Sequence, residues 1–177
     1  MINLNLKKNT KKAGFTLLEA LVAISILMVA VAAPITIAQK GLSSASYSKN
    51  QLIASYLAQD AIEYLINKRD GVTINESVSH DWGALWSNPD FMLCTSNDGC
   101  QIDTNLNGGA GGIMSGSPSK VLNKSVDGFY GFGGDPTIFT RIIKVNKVSG
   151  DDNSALITAM VSWGTDNVTV KTLIYNY

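Results

Sequence analysis

The sequence predicts an α+β chain, with a long amino-terminal helix packed on a carboxy-terminal antiparallel sheet. Three observations predict it. Residues Phe15 to Ala38, 24 in number, carry a single charge, Glu19. From Lys49 onward apolar residues step by four (Ile53, Leu57, Ala61, Leu65), while Gln59, Asp60, Glu63 and Asn67 fill the other face. From Ile138 to Tyr177 apolar and polar residues alternate in three runs separated by turn residues.

The apolar run is long enough to cross a hydrocarbon core of about 30 Å. Four lysines, Lys7, Lys8, Lys11 and Lys12, precede it. The positive-inside rule puts them in the cytoplasm and the residues after Ala38 outside. A carboxylate within such a run is expensive unless partnered, so Glu19 is a candidate functional residue. Cleavage after Gly14 would free the amine of Phe15, four residues from Glu19. A secretory signal peptide would instead be cut after the apolar stretch, near Ala32-Ala33, and gains nothing from an acid in its core.

Gly14-Phe15-Thr16-Leu17-Leu18-Glu19 behind a short basic leader resembles the processing signal of type IV prepilins and of the pseudopilins of type II secretion. The resemblance is strong over residues 7–40 and weaker beyond. It implies a pilin-like fold and a structural, non-enzymatic subunit. A prepilin peptidase, also the methylase, would cut between Gly14 and Phe15 and N-methylate Phe15. Glu19 would pair with the amine of a neighbouring subunit in the filament. Membrane lipid, other pilin or pseudopilin subunits and an inner-membrane assembly platform are the implied partners. The subunit would wait in the inner membrane before entering a pilus or periplasmic filament. Ile53-Ala-Ser-Tyr-Leu-Ala-Gln-Asp-Ala-Ile-Glu, and Val161-Ser-Trp163 before a last Val-rich strand, look like V-type minor pilins; the first stretch also looks like I-type minor pseudopilins. A major pilin, and an anchored adhesion module outside any filament, are the alternatives.

Five stretches follow: a leader over 1–14, the membrane half of the helix over 15–38, its amphipathic half over 39–70, a variable loop region over 71–137, and the β-meander over 138–177. Within the helix, Pro34 removes a backbone donor and predicts a kink, read either as a tolerated bend or as a segment that unwinds on assembly. Gly41-Leu-Ser-Ser-Ala-Ser lowers helix propensity, and Gly71 is a plausible cap. His80-Asp-Trp-Gly-Ala-Leu-Trp reads as a helical turn burying Trp82, Leu85 and Trp86. Phe91-Met-Leu-Cys reads as a short strand, and 103–136 as a Gly-, Asn- and Ser-rich surface loop on which Phe129-Tyr130 docks. In the meander, Phe139, Ile143 and Val145 share one face, and Asp151-Asp-Asn and Gly164-Thr-Asp-Asn are turns.

Cys94 and Cys100 are the two cysteines, with five residues between them that include Asn97-Asp98-Gly99. In an exported chain an even count favours a disulfide pinning a surface turn; free thiols or a metal site are the alternatives. Asp103, Asn105 and Asn107 match the start of a calcium loop, but Met114 stands where the bidentate acid belongs. Asp151-Asp152 is a weaker match. No cofactor is expected. His80 is the sole histidine, and adjacent Ser79 and Asp81 do not make a triad. The sequence has 14 basic and 14 acidic residues, and losing the leader removes four lysines and no acid. The mature chain is therefore acidic, and no direct nucleic-acid binding is expected.

Overall fold

A computed structural model describes residues 14–74, 82–104 and 112–176. The chain divides into two compact units, Met1–Ser46 and Tyr47–Tyr177. Helix α1, Leu17–Ile74, runs through both. In the first unit its apolar side chains are exposed, Leu17, Leu21, Ile24, Leu27 and Met28 among them. Pro34 lies inside the helix, and Thr36 Oγ1 donates to the Ala32 carbonyl at 3.1 Å. The helix is continuous across Gly41–Ser46 and past Gly71. The expected interruption and cap at those glycines are absent, because a lone helix glycine costs only about 1 kcal/mol against alanine.

In the second unit, Ala54, Leu57, Ala58, Ala61, Ile62 and Leu65 of α1 are buried in one core. Among the described residues the sheet has seven strands. β5 (Asp135–Val148), β6 (Asp151–Trp163) and β7 (Asp166–Tyr175) form the antiparallel meander. β5 pairs on its other edge with β1 (Cys100–Ile102) and with β3 (Val121–Lys124). β2 (Ile113–Ser115) extends β1, and β4 (Tyr130–Gly131) extends β3. The inward positions alternate as expected: Phe139, Ile143 and Val145 on β5, and Ile157, Ala159, Val161 and Trp163 on β6.

The structure departs from the sequence-based expectation in further places. The stretch expected as a surface loop, 103–136, holds β2, β3 and β4, and α2 (Trp82–Ser87), α3 (Pro89–Thr95) and β1 precede it. Phe91 to Cys94 lie in α3 rather than in a strand, because Asn88 caps a helix there: its side chain accepts from Asp90 N at 3.0 Å, and Pro89 follows it. The turn after β5 is Ser149-Gly150, with Gly150 at φ 85°, so β6 starts at Asp151. β7 starts two residues early, at Asp166, across from Trp163. Leu85 is buried and Trp82 and Trp86 half-buried, in line with the expected helical turn.

Candidate functional site

The amino-terminal segment carries the candidate processing and assembly site. Gly14, Phe15 and Thr16 precede the helix, and Gly14 and Phe15 are exposed. The candidate scissile bond therefore lies in non-helical backbone. A Cβ added to Gly14 would meet nothing within 4 Å, so nothing among the described residues demands glycine there.

Thr16 caps α1. Its Oγ1 accepts from Glu19 N at 3.2 Å, and its carbonyl accepts from Ala20 N at 3.1 Å. Thr16-Leu-Leu-Glu19 is thus a capping-box sequence, in which Thr16 has a local role that sequence reasoning passed over. The positive end of the helix favours the acid in that first turn. The Glu19 side chain is exposed and able to reach another molecule's amine. The leader lysines, and His80, lie outside the described residues.

Cys94 and Cys100 form a disulfide. Both are fully buried, so the bridge ties α3 to β1 within the core, and the turn it closes, residues 95–98, is exposed as expected. Asp103 follows β1, and its backbone N donates to the Gly112 carbonyl at 2.9 Å. Its carboxylate accepts from Phe132 N at 3.4 Å, which fixes a loop crossing. Its calcium-loop companions Asn105 and Asn107 lie outside the described residues. Among the described residues, no three His, Cys, Asp or Glu side chains group as for a metal.

Sequence reasoning missed Arg141. It points inward from β5 and is 1% exposed. One terminal nitrogen donates to the Leu57 carbonyl at 2.7 Å and to Asp60 Oδ2 at 2.9 Å; the other donates to the Ile102 carbonyl at 2.7 Å. Burial pulls the guanidinium below its ordinary pKa; the hydrogen bond and charge of Asp60, and the charge of Asp103, oppose this. The signal was in the alternation itself, since position 141 falls between inward 139 and 143.

A capped, membrane-length apolar helix entering a domain with an antiparallel sheet is the layout of type IV pilin-like proteins. A family model described as the prokaryotic N-terminal methylation motif matches residues 9–33, consistent with a type IV prepilin or pseudopilin precursor. Comparison with curated proteins and with solved structures gives no match. The motif implies processing by a prepilin peptidase and assembly with other pilins, and with the apolar helix it fits membrane anchoring.

Proposed function

We propose that this chain is a minor pilin or pseudopilin, a structural subunit of a type IV pilus-like or type II secretion filament. The methylation motif over residues 9–33, with its Gly14–Phe15 junction exposed ahead of a capped apolar helix, carries this reading. The anchor holds the subunit in the membrane with its carboxy-terminal domain outside. The peptidase removes residues 1–14 and methylates Phe15. Glu19 then meets the amine of a neighbour as helices pack into the filament. Neutralising a carboxylate in an apolar surrounding is strongly favoured over leaving it unpaired.

Intact mass and amino-terminal sequencing of the protein from its native membrane test the processing step. A chain beginning at N-methylated Phe15 is expected. A chain beginning at Met1, or cut near Ala33, refutes it. Gly14→Val should yield only the unshortened chain. Shearing tests assembly: an anchored adhesion module would stay with the membranes when filaments are sheared away, whereas a filament subunit leaves with them.

A further inference from the structure

A cavity of about 420 Å³ opens in the second unit between α1 and the segment around Phe129. Its apolar lining includes Ile53 and Leu57. Tyr56 and Phe129 flank it and are 63% and 55% exposed, large rings held in water beside a concavity. Tyr130, half-buried, is the third ring. Asp60 and Thr104 are the side chains of different chemistry.

Asp60 carries the charge among the lining side chains. The Thr104 hydroxyl donates to Asp60 Oδ2 at 2.6 Å, with the Tyr130 carbonyl a more distant acceptor at 3.4 Å. Oδ2 also receives Arg141, so the carboxylate is held from two sides. Asp60 Oδ1 has no partner among the described residues. A fixed anionic acceptor in an aromatic slot matches a donor cation on an aliphatic stem. Lys124 Nζ already lies 6.0 Å from the Tyr130 ring centre, a resident cation with which such a ligand would compete.

We propose that this slot receives an alkylammonium or alkylguanidinium group, from a lysine or arginine side chain of a partner or from a free amine. The full chain in nonionic detergent, labelled at the Ile53 and Leu57 methyls, is titrated by NMR with Nα-acetyl-lysine N-methylamide, with 1,5-diaminopentane and with neutral Nα-acetyl-norleucine N-methylamide. Saturable shifts with a cation, and binding of the norleucine derivative about tenfold weaker or less, are expected. A response to the lysine derivative alone identifies a partner's side chain as the source; an equal response to the diamine identifies a free amine. Tyr56→Ala, at an exposed position, should weaken binding severalfold. Lys124→Ala should strengthen it by removing the competing charge. Equal binding of norleucine, no saturable response to either cation, or weaker binding after Lys124→Ala overturns the assignment.

Discussion

Removing the Asp60 carboxylate probes how a buried arginine is kept in a small core. The Arg141 side chain is 1% exposed and that of Asp60 47%. Asp60→Ala leaves the bonds to the Leu57 and Ile102 carbonyls and takes away the counter-charge. Breaking a buried pair from one side costs about 3–5 kcal/mol. Here water screens the half-exposed acid, and the nearby charge of Asp103 remains, so a loss of about 2 kcal/mol is expected. Urea unfolding of the full chain in nonionic detergent measures it, read by tryptophan emission, to which Trp163, 5% exposed, contributes. In an Arg141→Met background the same change should cost less than about 0.5 kcal/mol, since no buried charge is left to strand. A loss under about 0.5 kcal/mol with Arg141 in place, or equal losses in both backgrounds, would refute the role of Asp60 as counter-ion.

Four further outcomes are expected. Replacing Cys94 and Cys100 together by alanine should destabilise the folded state by about 2 kcal/mol, the chain-entropy value for so short a loop; an unchanged urea midpoint would contradict this. Gly116→Ala should cost about 1–3 kcal/mol, because the added Cβ would overlap the Asp98 carbonyl in the turn beside the disulfide; a thermal melt reads it. Hydrogen bonds from Ser154 and from the Asn153 backbone hold the Asp151 carboxyl below its usual range. Their contribution is complete above the ordinary Asp pKa and is lost as pH falls through the lowered value, so Asp151→Asn should flatten the acid side of a stability–pH curve; an unaltered slope refutes it. Glu19→Ala should still be cleaved but enter filaments less; normal incorporation would end the proposed role of that acid.

The long helix and the meander were legible because each obeys one period over many residues. Four-residue steps from Ile53 to Leu65 and two-residue steps along β5 and β6 need no distant information. The strands β1 to β4 were not legible, since each has two to four residues and is held by partners far along the chain. Gln101 is an example. Its buried side chain donates to the Ser115 and Pro118 carbonyls at 2.9 and 3.0 Å and accepts from Lys120 N at 2.6 Å. Nothing near Gln101 in sequence announces those bonds. Phe91 to Cys94 was misread because a four-residue apolar run suits helix or strand equally, and the Asn88-Pro89 cap was the deciding signal. At the candidate site, Gly14, Phe15 and Glu19 stood out by motif, whereas Thr16 as cap needed the backbone geometry. Arg141 was passed over because a charge at an inward position reads as a break in the pattern until its acceptors are seen.

The sealed position of the Cys94–Cys100 bridge bears on timing. Neither sulfur meets solvent once α3 lies on the sheet. Thiol exchange needs direct access to a sulfur, so oxidation has to precede closure of the core. A separation of six residues lets that happen while the surrounding chain is still open. In the finished domain, a reductant would wait for α3 to lift away. Its rate should then level off as reductant concentration rises, and the plateau would count the spontaneous openings of that one corner, separately from unfolding of the whole.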